Sequence, residues 1–517
     1  CSVKSNCLSV EPLETEFGTK RQINQSTCNK DYSCLNGFCP SFVTVEGGQL
    51  RKPKTAQVDS SGLPPLPEPA LPAITRPYGI LVTGVGGTGV VTIGGLLGMA
   101  AHLENKGVTT LDVTGLAQKG GAVTSHVQIA LQPEDIHATR IAMGDARVVI
   151  GCDAITTASD DTLSRIQHGV TNVVVNSAHT PTAEFIRNPN WRFPGASTEN
   201  DIRAAAGDGV DFVDANHLSL RLLGDTIYTN PFVLGYAWQK GWVPLSYAAL
   251  TRAIELNGVA IEKNKQAFEW GRRAAHDLAS VRRLAQQNEA PEPSAAGGKL
   301  ITLHTPRALD MLIQRRYDQL VAYQDRAYAE RFKQTVERVR AAETPLTQEG
   351  MQMPLTEAVA RALYKLMAYK DEYEVARLYT DPAFMKKINE QFEGDFTLRF
   401  HLAPPSLAKH DDKGHLVKKA YGAWMMKAFG VLAKFKGLRG GPFDIFGRTH
   451  ERRTERALIG EYEALVSEVV SGLNEHNLAL AVQLAELPQE IRGYGHIKEQ
   501  NLAATRIKWT KLLAQFR

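Results

Sequence analysis

Gly79-Ile80-Leu81-Val82-Thr83-Gly84-Val85-Gly86-Gly87-Thr88-Gly89-Val90 is the stretch that decides the fold. Its first six residues, Gly79 to Gly84, read as a buried strand, and Val90 to Leu103 reads as the helix that follows. Between them runs the spacing Gly84-x-Gly86-x-x-Gly89, with an extra glycine at Gly87. Glycines let the backbone turn tightly and approach a pyrophosphate, whose charge a helix N-terminus stabilises. The strand–loop–helix setting makes this stronger than an isolated motif match. Two readings stay open: a nucleotide-type ligand held by Gly84, Gly86, Gly87 and Gly89, or a tight turn with a purely structural role.

Further strands are expected at Val108–Val113, Val123–Leu131, Ala146–Gly151 and Asn172–Asn176. Strands alternating with helices argue for an α/β domain around a mostly parallel sheet. A second glycine-bearing loop, Gly115-Leu116-Ala117-Gln118-Lys119-Gly120-Gly121, should emerge beside the first, at the carboxyl ends of neighbouring strands. Gln118, Lys119, Gly120 and Gly121 are therefore candidates for the same ligand. Lys119 either meets a phosphate or carboxylate there or is a solvated loop lysine. Asp112 ends the second strand at about the distance of a ribose-binding acid, which an NAD-dependent dehydrogenase would need, but Thr114-Gly115 follow it. Gly207-Asp208-Gly209 tempts a thiamine diphosphate reading; its polar surroundings favour a surface turn. Asn230-Pro231 and Leu234-Gly235 look like a turn and a helix start.

Upstream of this domain, five of the six cysteines fall in the first 39 residues, as Cys1-x5-Cys7-x20-Cys28-x5-Cys34-x4-Cys39-Pro40. Thiolates gather where a metal or cluster needs them. The Cys-Pro ending is a mark of bacterial-ferredoxin iron–sulfur runs. A disulfide framework fits poorly, since such domains are usually short and secreted and only Cys152 lies elsewhere. Structural zinc lacks its Cys-x2-Cys pairs. Cys1, Cys7, Cys28, Cys34 and Cys39 are the candidate ligands, and how they divide between clusters stays open. The chain starts at Cys1 without Met, which is expected of a fragment cut inside a cysteine motif.

The net charge of +4 over 517 residues favours no nucleic-acid partner, and no basic tract is interleaved with aromatics. No apolar run reaches the roughly 18 to 20 residues that span a bilayer. With one cysteine outside the N-terminal segment, a reducing cytoplasm is the expected compartment. Proline-dense Ser60–Pro72 reads as an extended spacer, and Gln287–Gly298 as a second linker. Beyond it, Tyr317–Ala342, Leu355–Tyr379, Leu458–Asn474 and Leu478–Ala485 keep a helical period. Arg439, Arg492 and His496 lie in glycine-punctuated loops; each meets an anionic substrate or serves the surface or the structure.

Together these features resemble a known assembly. The loop Gly84–Gly89, then Gln118-Lys119-Gly120-Gly121-Ala122-Val123, Asn230 and Leu234-Gly235 are similar to the gamma domain of the 2-oxoacid:ferredoxin oxidoreductases. The segment Ser26–Pro40, with Tyr369–Leu378 and Arg492–His496, resembles the long fused bacterial indolepyruvate ferredoxin oxidoreductases. The resemblance covers nearly the whole chain. It implies a small ferredoxin-like Cys-rich segment over 1–52, a Pro-rich linker over 53–77, a Rossmann-like gamma domain over 78–285, a linker over 286–299, and a mainly helical domain over 300–517. It implies oxidative decarboxylation of an aryl or branched-chain 2-oxoacid to an acyl-coenzyme A, with electrons passing through 4Fe–4S clusters to ferredoxin. Thiamine diphosphate with Mg²⁺ would sit on upstream domains of the same polypeptide, in a homo-oligomer. The glycine loop would hold the phosphates of coenzyme A or shape a domain interface. The x5 and x4 spacings depart from two-cluster ferredoxins, so two regular clusters are not implied. A non-catalytic electron-transfer or scaffold subunit with a nucleotide-binding domain is the alternative.

Overall fold

The computed structural model describes residues 9–25, 28, 30–37, 42–51, 64–115, 121–179, 193–287, 306–347, 352–403, 409–410 and 416–517. Its central feature is a six-stranded sheet made of β1 (Tyr78–Val85), β2 (Gly107–Thr114), β3 (Ala122–Ala130), β4 (Ala146–Gly151), β5 (Asn172–Asn176) and β6 (Val210–Val213). The spatial order is β6-β5-β4-β1-β3-β2. Strands β1, β4, β5 and β6 run parallel, while β3 is antiparallel to both β1 and β2. The antiparallel turn has a simple cause. Residues 115–121 are all that joins β2 to β3, and a parallel crossover needs a dozen or more.

Both faces of the sheet are covered, which is why its strands read as continuous apolar runs. Ile80 and Val82 pack with Val90, Ile93 and Leu97 of helix α1 (Val90–Leu103), whereas Leu81 faces Val149, Val173 and Ile202 on the other side. Two further helices, α2 (Thr229–Gln239) and α3 (Ile261–His276), complete the first layer. All eleven residues of α2 are buried. Asn230-Pro231 thus lies in the first turn of a helix, and Gly235 lies in its middle. The reason is a backbone-to-backbone crossing: a Cβ on Gly235 would stand 2.0 Å from the Phe268 carbonyl oxygen, and one on Gly271 would stand 1.9 Å from that of Phe232.

The proline-dense stretch is a strap rather than a free spacer over the part described. Gln239 Nε2 donates to the Pro67 carbonyl at 2.7 Å, and Arg273 Nη1 to that of Pro64 at 3.0 Å. In the C-terminal region the long helical periods are cut by aspartates. Asp325 and Asp371 each accept a backbone N–H three residues on, starting helices Arg326–Glu343 and Glu372–Thr380. Asp371 also pairs bidentately with Arg439 at 2.5 and 2.8 Å, deep in the interior.

The two ends of the chain share structure. Strand Phe42–Glu46 pairs with Thr397–Leu402, and Gln49–Leu50 with Phe392–Glu393. The hairpin of Val10–Thr15 and Gly18–Ile23 places Glu16 and Phe17 against the helices: Arg316 Nη2 donates to the Glu16 carbonyl at 2.6 Å, and Phe17 stacks on Tyr364. A boundary near residue 52 is thus a boundary in sequence only. The small sheet around Thr397–Leu402 is an addition to the expected helical region, and its alternating burial, Leu398, Phe400 and Leu402 inward, marks it as a strand.

Replacing Gly271 with Ala gains about 1 kcal/mol of helix propensity. It should nevertheless destabilise the α/β domain by about 3 kcal/mol, because neither backbone can retreat without opening the core. Chemical denaturation of the variant checks the sign; a neutral or stabilised Gly271→Ala protein would show that the crossing is looser than described.

Candidate functional site at the carboxyl edge of the sheet

The loop between β1 and α1 is held from two sides. Gly86 N–H donates to the Gly121 carbonyl at 2.8 Å, which joins the first glycine loop to the second. Asn230 Nδ2, from the first turn of α2, donates to the Thr88 carbonyl at 2.8 Å. Within the loop, Thr88 Oγ1 donates to the Val85 carbonyl at 2.7 Å. Gly87 and Gly89 take φ of +86° and +98°, a region that side chains rarely enter. Gly89 caps α1 without a side-chain hydrogen bond. The first amides of α1 therefore keep no intrahelical partner and carry the positive end of its dipole. A Cβ on Gly84 would stand 2.6 Å from Val90 Cγ2 and 2.9 Å from Cys152 Cβ, so the strand end and the helix start meet only across a glycine.

The structure thus brings Gly84, Gly86, Gly87, Gly89 and Gly121 together. Gln118, Lys119 and Gly120 lie outside the described residues, although Gly115 and Gly121 flank them, and Gly115 N–H bonds to the Ala122 carbonyl at 3.2 Å. Asp112 is on the outer edge strand β2, exposed. Gly207 (φ +76°) and Asp208 form the turn between helix Gly195–Ala206 and β6, as a surface turn should.

Several polar residues at this edge escaped sequence reasoning. Cys152 and Asp153 follow β4, next to β1, where the chain leaves the sheet in opposite directions. Asp153 Oδ1 accepts the Thr156 N–H at 2.8 Å; its Oδ2 has no hydrogen-bond partner and lies 3.7 Å from the position of a Cβ on Gly84. Only 3% of Asp153 is exposed. Burial pushes its pKa up, against the opposing pull of the Thr156 hydrogen bonds. Burial above all pushes the Cys152 thiol up, so this cysteine is no nucleophile. Asn176 Nδ2 donates to the Cys152 carbonyl and to Asn216 Oδ1, both at 3.0 Å, and Thr229 Oγ1 donates to the same Asn216 oxygen at 2.9 Å. The signal available in sequence was position: polar residues directly after β4, β5 and before α2 reach the ligand edge of such a sheet.

Of the candidate metal ligands, Cys1, Cys7 and Cys39 lie outside the described residues. Cys28 is half-buried, and Cys34 sits in the turn Ser33–Asn36. Lys30 and Tyr32 between them take φ of +58° and +56°, so the chain turns sharply there. Among the described residues no three His, Cys, Asp or Glu are grouped to hold a metal ion. Arg439 is committed to Asp371 and to the Tyr323 carbonyl, a structural role. Arg492 Nε donates to the Gln489 carbonyl, and His496 starts helix His496–Phe516.

Residues 79–274 match the family described as pyruvate ferredoxin/flavodoxin oxidoreductase. The match is confined to this domain, 196 of the 517 residues. The chain is similar to indolepyruvate oxidoreductase subunit IorB of Methanothermobacter thermautotrophicus, 26% identical over 200 residues, which are 38% of this chain and 97% of that protein. The corresponding Pyrococcus horikoshii subunit is 25% identical over 209 residues, 40% of this chain and 100% of that one. The crystal structure of pyruvate oxidoreductase subunit PORC from Thermotoga maritima is 20% identical, covers 38% of this chain and 97% of its own, and has a TM-score of 0.29. Residues 309–511 match a family of unknown function. In the α/β domain the glycine loop can bind an anion, and burial raises the pKa of Asp153 beside it. Among the described residues no helix is long and apolar enough to cross a membrane.

Because the folded pKa of Asp153 is raised, the native protein holds that carboxyl's proton after the unfolded chain, near pH 3.9, has released it. Its contribution to stability is full below about pH 3.9 and declines as pH rises through the folded pKa, by about 1.4 kcal/mol per unit of pKa difference. Asp153→Asn keeps the cap on Thr156 and should abolish that decline. Urea unfolding at pH 5 and pH 8 measures it; equal pH dependence in both proteins would show that Asp153 is ionised when folded.

Proposed function

We propose that the chain carries the gamma domain and the electron-transfer segment of an indolepyruvate-type 2-oxoacid:ferredoxin oxidoreductase. The observation that carries this reading is the clasped pair of glycine loops at the α1 N-terminus, within a domain that matches this family over residues 79–274. In this reading the assembly oxidatively decarboxylates an aryl or branched-chain 2-oxoacid and transfers the acyl group to coenzyme A. Thiamine diphosphate with Mg²⁺, held by domains outside these 517 residues, supplies the carbon chemistry when bound. The loop amides of Gly87 and Gly89 and the open first turn of α1 bind phosphate oxygens of coenzyme A, and Gln118, Lys119 and Gly120 of the second glycine loop are further ligands. Asn230 holds the loop in place through Thr88, and Asp153, its pKa raised by burial, lies beneath it.

Cys1, Cys7, Cys28, Cys34 and Cys39 would ligate iron–sulfur clusters that hand electrons singly to ferredoxin. The reading also assigns a homo-oligomer and a cytoplasmic location, and the mainly helical region of residues 300–517 a docking role on the catalytic domains. Supporting it are the order of segments and the names of the relatives, which are subunits of indolepyruvate oxidoreductases.

Calorimetric titration of the chain with coenzyme A and with NADH tests the loop. Coenzyme A should bind, at least tenfold more weakly after Gly87→Val, and NADH should not compete. Tight NADH binding with no response to coenzyme A would turn the reading toward a dehydrogenase. Anaerobic iron and sulfide analysis with EPR tests the segment. About four irons per cluster with a 4Fe–4S signal, lost in Cys28→Ser, is the expected result; zinc or disulfides in place of iron would sink it.

A further inference from the structure

The opposite end of the same sheet carries a second polar site. At the amino ends of β1, β4 and β5 lies a cleft of about 250 Å³, lined by Thr75, Arg76, Tyr78, Arg147 and Asn172 among others. Strand β1 separates it from the glycine loop by roughly 23 Å, the length of seven steps of an extended chain. The cleft is therefore no part of the site described above. Its walls are the last residues of the Pro-rich strap and the starts of three core strands, so it is built where the strap enters the sheet.

Arg147 is placed there by a β-bulge. Gly79 pairs with Ala146 and Ile80 with Val148, so Arg147 is the extra residue that faces no partner on β1. On the other side, Asn172 pairs with Val148, and Arg147 again has none. A bulge costs ladder pairing and re-aims the side chain it carries. Among the described residues Arg147 makes no ion pair and no side-chain hydrogen bond. The second guanidinium, Arg76, stands 3.3 Å from Asp145 with half of its side chain exposed. Asp145 is thus taken up by Arg76 and leaves the Arg147 charge uncompensated. Tyr78 contributes no counter-charge, since its hydroxyl donates to the Trp242 carbonyl at 2.8 Å and burial lifts its pKa to about 12 despite the nearby Arg147 charge. Thr75 and Asn172 add neutral donors at the rim.

We propose that this cleft binds a small, multiply charged oxyanion, with Arg147 as its principal contact and Arg76 as the second. Planar guanidinium forks match phosphate and carboxylate oxygens, and two of them favour a dianion over chloride. The volume decides the size of the ligand. Pockets for drug-sized ligands hold about 300 to 1,000 Å³. At about 250 Å³ this cleft falls below that range, which favours a phosphate group or a short dicarboxylate. Bound there, the anion would tie the strap to β1, β4 and β5 at once.

Thermal unfolding of the full 517-residue chain tests this, at constant ionic strength, with chloride replaced stepwise by inorganic phosphate or by malonate. The expected result is a saturable rise in Tm with phosphate or malonate. The midpoint should shift to at least tenfold higher anion in Arg147→Gln, and by less in Arg76→Gln. Arg147→Lys should recover part of the effect, since it keeps the charge without the fork. Whichever anion saturates at the lower concentration identifies the ligand as phosphate-like or carboxylate-like. The glycine loop also attracts phosphate, so the titration is repeated in Gly87→Val, where the Arg147-dependent shift should persist. A rise in Tm that matches chloride at equal ionic strength would overturn the proposal. So would a rise that survives Arg147→Gln in a protein with an unchanged circular dichroism spectrum, or one that disappears in Gly87→Val.

Discussion

A helix buried on every side sets the terms for the rest of the α/β domain. Helix α2 has no exposed residue, so each polar group on it must find a partner inside the protein. It meets that demand at both ends. Asn230 reaches the carbonyl of Thr88 in the glycine loop, and Gln239 reaches the carbonyl of Pro67 in the strap. Trp238, between them in space, donates its indole N–H to the Leu245 carbonyl at 2.7 Å. The same side chains that satisfy α2 therefore fix the loop and anchor the linker. The crossing with α3 through Gly235 and Gly271 keeps α2 at the depth where these bonds can form.

Charge is arranged with the same economy at the carboxyl edge. An uncapped helix start, left-handed glycines and a second loop held by Gly121 gather backbone donors in one place. Such an array favours an anion. An ionised acid beneath it would compete, and burial works against that by raising the pKa of Asp153. At the amino edge the sheet does the reverse: a bulge exposes an unpaired Arg147 in a small cleft.

The chain ends meet without the central domain. The hairpin that leads into Cys28 docks through Glu16 and Phe17 on helices Pro306–Tyr323 and Pro354–Met367. Sheet strands before residue 51 are completed by strands after residue 391. Residues 16–17 and 42–50 are thereby held against the region of residues 309–511, which matches a family of unknown function.

The glycine loop was legible because its cause is local: only glycine accepts φ near +90°, and strand–loop–helix periodicity frames it. Strands Ala146–Gly151 and Asn172–Asn176 and helix Val90–Leu103 were legible at their ends for the same reason, since buried runs stop where turn residues begin. The direction of β3 followed from loop length, yet an expectation of parallel pairing hid it. Asp153, Asn176 and Asn216 were silent, because a polar residue in sequence carries no mark of what it will face. The helical periods of 317–342 and 355–379 ran through Asp325 and Asp371, whose capping role appears only when a neighbouring turn needs its amide filled. By itself the sequence determined local conformation and apolar faces, which depend on short-range sterics and periodicity. Tertiary structure alone decided the pairing of residues 42–50 with strands beyond 391, the closeness of Gly235 and Gly271, and the aim of Arg147. Each of these is a contact between distant segments, and its energy exists only once the chain has closed on itself.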